Sequence, residues 1–195
     1  MGTKLGISLI LASLLTSVSC KKDPALPTFT LPAATSDGLK TLGFETGTDV
    51  FVNFGSVCYT SDSCRPNTDA FYHKGDGQVM LQADKVVKRG NSTISSETMA
   101  IYVETDHRGM MVYDSQKGDI LSMAYYVDKN NRSGIYVLDP QNPVGAVALT
   151  KIDTAAGVLS GNFSAHLFQR DASGFSVVRS DSVVVSNGRF DLKYK

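Results

Sequence analysis

The chain reads as an all-β protein, an antiparallel sandwich of about ten strands or, alternatively, a strongly bent or closed barrel. Three observations predict this. Apolar residues alternate with period two in nearly every segment after residue 39, turn-forming residues punctuate those segments, and no window carries an i, i+3, i+4, i+7 stripe of helical length. The sandwich is the first choice because it needs no closure condition on strand number and shear.

Taken in order, Val50, Val52 and Phe54 share one strand face, and Val79, Leu81 and Ala83 share another. Phe163, Ala165 and Leu167 oppose Asn162, Ser164 and His166, and at the C-terminus Phe190, Leu192 and Tyr194 oppose Arg189, Asp191 and Lys193. Met99 to Val103, Met123 to Val127 and Val183 to Val185 read as strands buried on both faces. Turns fall at Gly75-Asp76-Gly77, Asp128 to Gly134, Asp139 to Pro143 and Ala172-Ser173-Gly174. Asn187-Gly188 predicts a tight hairpin joining the Val183 to Val185 run to the last strand. Gly118 interrupts the stretch Asp114 to Met123, the least regular in the domain.

Before the domain, Lys4 is followed by an apolar run from Leu5 to Val18, then Ser19-Cys20-Lys21-Lys22-Asp23. A basic start, an apolar stretch of about 14 residues and small residues at its end form a signal peptide, too short for the roughly 20 residues of a membrane-spanning helix. Ser17-Val18-Ser19-Cys20 resembles the bacterial lipobox, which implies cleavage before Cys20 and acylation of its thiol, palmitate among the chains. Two or three acyl chains at about 0.8 kcal/mol per buried methylene give stable anchoring. Lys21-Lys22-Asp23 is similar to the export signal of Bacteroidetes surface lipoproteins. The expected place is the bacterial outer membrane facing outward, with a periplasm-facing orientation as the alternative. The organisation is then signal peptide over 1–19, lipidated cysteine and proline-bearing tether over 20–38, and one β domain over 39–195.

Removing residues 1–19 leaves 176 residues and shifts the formal charge from zero to −1, since Lys4 goes with the leader. A near-neutral chain without a basic stripe argues against nucleic acid as partner. Lys85, Lys88 and Arg89 form the densest basic cluster and read as a solvated turn. Cys58 and Cys64 remain as an even pair in an oxidising compartment, flanking a polar stretch able to turn; they read as a disulfide contributing about 2 kcal/mol.

Leu31 to Phe44, Gly134-Ile135-Tyr136-Val137-Leu138, Gly145 to Asp153, Leu159 to Phe163 and Ser186 to Leu192 together resemble, in order, a family of small Bacteroidetes surface lipoproteins known only as a domain of unknown function. The resemblance implies a β-rich surface lipoprotein with no catalytic residues to carry over. The chain departs from that pattern in lacking tryptophan and in adding the Cys58/Cys64 pair.

His73, His107 and His166 stand in no metal-ligand spacing, and the chain has no nucleophile elbow, phosphate-binding loop or dinucleotide fingerprint. No cofactor, metal or catalytic residue is expected. Glu45, Asp49, Glu97, Glu104, Asp106, Asp114 and Asp119 read as a solvated face, although two of them brought together would suit a glycosidase. Tyr59, Phe71, Tyr72 and His73 form the candidate contact loop, because aromatics beside polar groups suit sugar or protein surfaces. Tyr125 and Tyr126 could join it, although Phe71, Tyr125 and Tyr126 read more readily as core. Expected partners are the bilayer, through the anchor, and an envelope protein or glycan. The reading is a non-catalytic binding or adhesion module, with a structural envelope partner and a glycan hydrolase as alternatives.

Overall fold

The computed structural model describes residues 27–47, 49–60, 63–73, 75, 77–89, 92–104, 112–129, 132–174 and 176–194, with backbone only at 57–60, 63–65 and 132. The expected signal peptide, Cys20 and His107 lie outside them, as do Asp106 and Lys21-Lys22-Asp23.

Thirteen strands run in chain order: β1 (Thr41–Thr46), β2 (Asp49–Val52), β3 (Val57–Thr60), β4 (Ser63–Arg65), β5 (Thr68–His73), β6 (Gln78–Arg89), β7 (Ser92–Glu104), β8 (Val112–Asp114), β9 (Ile120–Lys129), β10 (Arg132–Leu138), β11 (Val144–Asp153), β12 (Val158–Arg170) and β13 (Val177–Lys193). Eleven form one antiparallel sheet in the order β2-β1-β13-β12-β10-β9-β7-β6-β5. β12 is long enough to take two partners on one edge: Val158 to His166 pair with β11, and Leu167 to Gln169 pair with β10. β8 extends that branch beyond β11. β3 and β4 make a separate ribbon.

The sheet curls into a half-barrel, so the all-β expectation holds in its barrel-like form. Its two ends approach each other. Phe54, just past β2, makes a parallel bridge to Lys85 in β6, with Phe54 N–H donating to the Asp84 carbonyl at 3.0 Å and Val86 N–H to the Phe54 carbonyl at 2.8 Å. Tyr72 of β5 meets Tyr194 edge-on, ring centres 5.6 Å apart.

Alternation fills the concave side. Phe44 stacks on Phe51 at 4.6 Å, and Tyr125 stands edge-on to Phe44 at 5.3 Å, in a core continued by Leu81, Ile101, Met123 and Leu167. Each such side chain contributes about 1.5–3 kcal/mol on burial. The runs expected to be buried on both faces alternate instead: Met99, Ile101 and Val103 point inward, while Tyr126 and Val184 are exposed. One curled sheet has a single packed face, so its outer side remains open to water.

Asn187-Gly188 is a bulge rather than a hairpin. β13 continues through it, with Phe163 paired to Gly188 and Ala165 to Val185, so two residues of β13 oppose Ser164. A type I′ turn needs positive φ at both central residues, and only Asn187 has it, at 50°. Gly188 is required for another reason: a Cβ there would stand 2.7 Å from the Phe163 ring. The irregular stretch after Asp114 is a 3-10 turn, Ser115–Lys117, capped by the Asp114 side chain and closed by left-handed Gly118.

Residues 27–40 contain no strand, as a tether would, but they are docked from Phe29 onward. Phe29 packs on Phe54 at 5.2 Å beneath the Lys85 ammonium, and Leu31 and Pro32 lie against Gly43.

Candidate ligand groove

Alternation on β11, β12 and β13 also orders the side chains that face away from the core. Register aligns them in rows: Lys151, Ser160 and Asp191; then Ala148, Asn162 and Arg189; then Ala146 and Ser164 beside the bulge; then Val144, His166 and Val184. Small residues keep the middle rows low. Both ends are raised, one by the docked arm at 33–36 and the other by Asp114 and Gln116 where β8 enters the 3-10 turn. The result is a groove of three adjoining hollows of about 340, 420 and 470 Å³. The first two share Asn162 and Arg189, and the last two share Ala146 and Ser164. Asn162 to His166 spans about 13 Å of its floor at the strand rise.

The arm is fixed by Asp191, which lies on the outward face yet is only 1% exposed. Its carboxylate accepts from the Thr35 hydroxyl at 2.6 Å, the Ser160 hydroxyl at 2.8 Å, and the N–H groups of Asp37, Gly38 and Leu39 at 3.0, 2.7 and 3.2 Å. Burial pushes this carboxyl up, but the bonds from Thr35, Gly38, Ser160 and Leu39 outweigh it and hold it at about 2. Lys151 adds a bond from its ammonium to the Ser36 carbonyl at 2.9 Å.

Asp191 stays ionised inside this cage and lines the same end of the groove as Lys151, which also pairs with Asp153 at 3.8 Å, and Arg189. Arg189 is half-buried, and among the described residues its guanidinium makes no hydrogen bond or ion pair. At the far end Asp114 is committed to its own turn, accepting from Gln116 N–H at 3.0 Å with Lys117 at 3.6 Å. His166 faces outward, as its alternation predicted, with its ring 4.3 Å from Phe168.

The expected contact loop divides. Phe71 and His73 point outward from β5, and Phe71, 39% exposed, pairs with exposed Met80 and through it with Tyr102. Tyr72 points inward against the core and Tyr194. Tyr125 is core and Tyr126 is exposed. The Tyr59 side chain lies outside the described residues, as do those of Cys58 and Cys64. The backbone places Cys58 directly opposite Cys64 in the β3–β4 ribbon.

Two readings are corrected on the concave side. Lys85 is not part of a solvated turn and Glu97 is not on a solvated face; they are 7% and 2% exposed. Lys85 and Lys129 hold Glu97 at 3.3 Å each, Tyr125 donates its hydroxyl to the same carboxylate, and Lys129 reaches Asp49 at 3.1 Å. Lys85 also donates to the Val50 carbonyl at 2.9 Å. This cluster clamps β2 across β6, β7 and β9, and so closes the curl. Other acids brace strands or turns: Glu45 accepts from Asn187 at 2.7 Å, Glu104 from Tyr102 at 3.1 Å, and Asp119 from Asp114 N–H at 2.7 Å. Among the described residues no three His, Cys, Asp or Glu side chains converge as metal ligands.

By alternation alone Arg189 and Asn162 belong to the wet side of their strands, with nothing to mark them as part of a site. The signal that could have found the groove is the outward series Ala146 and Ala148 beside Asn162 and Ser164, small or polar where outer faces usually carry long side chains. Comparison of the chain with family models, curated proteins and solved structures gave no match.

Proposed function

We propose that this chain is a lipid-anchored binding module of the bacterial outer membrane, facing outward, which holds an extended partner in the groove over β11 to β13 without turning it over. The observation that carries the reading is the groove itself, with half-buried, unpaired Arg189 and a floor of small and hydroxyl or amide side chains. The signal peptide ending at Cys20 supports the anchor, and the family resemblance supports a surface lipoprotein. Eight residues separate Cys20 from docked Phe29, so Phe29 sits within about 30 Å of a lipid on that cysteine.

Fractionation and binding test it together. Cys20→Ala releases the protein from membranes or leaves it unprocessed, whereas unchanged fractionation and mass contradict the anchor. Ala148→Trp, which fills the middle of the groove, abolishes capture of cell-surface material by the soluble domain. Capture unchanged by that substitution contradicts the groove as the binding site.

A second reading has its own observation. Phe71, Met80 and Tyr102 form an outward row on β5 to β7, with Phe71 and Met80 39% and 48% exposed, and such a row suits assembly with another envelope protein. Loss of capture on Phe71→Ser with Ala148→Trp neutral would favour it.

A further inference from the structure

We propose that the groove takes an acidic oligosaccharide, a sugar carboxylate lying on Arg189; this rests on the binding reading above and names its ligand class. Arg189 is half-buried and its guanidinium has no ion-pair partner among the described residues, so an anion entering the groove meets a directional site. The planar fork of arginine matches a carboxylate through two parallel bonds.

The nearest carboxylates keep their charge but are engaged elsewhere, Asp191 in the arm and Glu45 by Asn187, and neither forms an ion pair with Arg189. Lys151, in the next row, is already committed, donating to the Ser36 carbonyl and pairing with Asp153 at 3.8 Å, so Arg189 is the cation left to meet a ligand here. One free guanidinium fits a monoanion, whereas a phosphate dianion gathers several convergent donors such as backbone N–H groups.

The surroundings suit a sugar better than a peptide. Asn162 and Ser164 present an amide and a hydroxyl with no hydrogen bond to the rest of the described residues, and they answer the donors and acceptors of ring hydroxyls. Ala146 and Ala148 let a ring approach the sheet closely. An extended peptide gains most from pairing along a strand edge or from apolar side-chain pockets, and this groove lies across a sheet face whose strands are already paired.

The test uses the soluble domain with three carboxylate-bearing probes, oligogalacturonate, oligomannuronate and a hyaluronan fragment, each beside its methyl ester. Titration calorimetry gives affinity and amide chemical shifts locate the site. At least one free acid binds, esterification weakens it at least about tenfold, added salt weakens it further, and the shifts fall between Asn162 and His166 and around Arg189. Arg189→Met removes the preference for acid over ester with the thermal midpoint unchanged, while Phe71→Ser retains it. Equal affinity for acid and ester, or a preference that survives Arg189→Met, overturns the carboxylate assignment and leaves the groove reading standing if the shifts still map there. Failure of every probe, or shifts away from the groove, overturns the saccharide assignment. The groove reading itself fails separately, if Ala148→Trp leaves capture of native surface material intact.

Discussion

Asp191 and Glu97 are both buried carboxylates, 1% and 2% exposed, and the molecule satisfies them in opposite ways. Glu97 sits on the concave side between two ammonium groups and a phenol, which makes it an ionic clamp across four strands. Asp191 sits on the convex side among neutral donors, three of them backbone N–H groups of one arm. The ionic clamp closes the half-barrel, and the neutral cage fixes a loop without leaving a net positive partner beside it. The cage leaves the Asp191 charge uncancelled, and Arg189, one row away, stands outside it with no ion-pair partner among the described residues.

The largest expected effect breaks the clamp. Glu97→Ala strands a buried Lys85 and lowers stability by about 3–5 kcal/mol, measured by urea unfolding. Replacing Lys85, Glu97 and Lys129 together by apolar residues recovers much of that loss, because the desolvation cost disappears with the charges. A triple variant no more stable than Glu97→Ala would show that the charges hold β2 through more than their mutual attraction.

Next comes the cage. Asp191→Asn cannot accept all five bonds and costs about 2–3 kcal/mol, with amide exchange rising at Asp37, Gly38 and Leu39 before the rest of the sheet. The pH dependence has a definite sign. The folded carboxyl lies at about 2, below its ordinary 3.8, so its contribution is complete above that ordinary value and is lost as pH falls toward 2. Wild type should therefore lose stability over that window by more than Asp191→Asn does, and equal losses would argue against the cage.

Smaller effects test local geometry. In the β3–β4 ribbon we propose that Cys58 and Cys64 are bridged, as their opposed register allows. Reduction then lowers stability by about 2 kcal/mol, and thiol counting on denatured, unreduced protein finds neither free. Two free thiols in envelope-purified protein contradict the bridge. At the bulge, Asn187→Gly is neutral within about 0.5 kcal/mol, since φ of 50° suits glycine, whereas Asn187→Val costs about 1–2 kcal/mol. Smallest of all, Phe71→Ser changes the midpoint little, while Tyr72→Ala, packed on Tyr194, lowers it clearly.

Much of this was legible in the residues. Period-two alternation located most long strands, because the inner face of a curled sheet must be apolar every second residue. The same parity, carried one step past Ala83, Met99 and Val127, reaches Lys85, Glu97 and Lys129, so the clamp was readable in outline. Residue type misled there, since charge next to charge suggested water. Asn187-Gly188 misled because the dipeptide satisfies either a turn or a left-handed bulge, and only pairing to both β12 and β1 decides between them. The groove was not legible, because it depends on an arm without periodicity covering the row at Asp191 and on a branch at β11 that no local pattern announces.

We propose that recognition occurs on the convex face of β11 to β13. Hydrogen exchange of the soluble domain with and without its bound surface material tests this most directly. Protection is expected along 144–151, 160–166 and 184–190, together with the arm at 33–36, and little change at Phe71, Met80 and Tyr102. Protection centred on β5 to β7, with the groove amides unaffected, would contradict it and assign recognition to the exposed aromatic row.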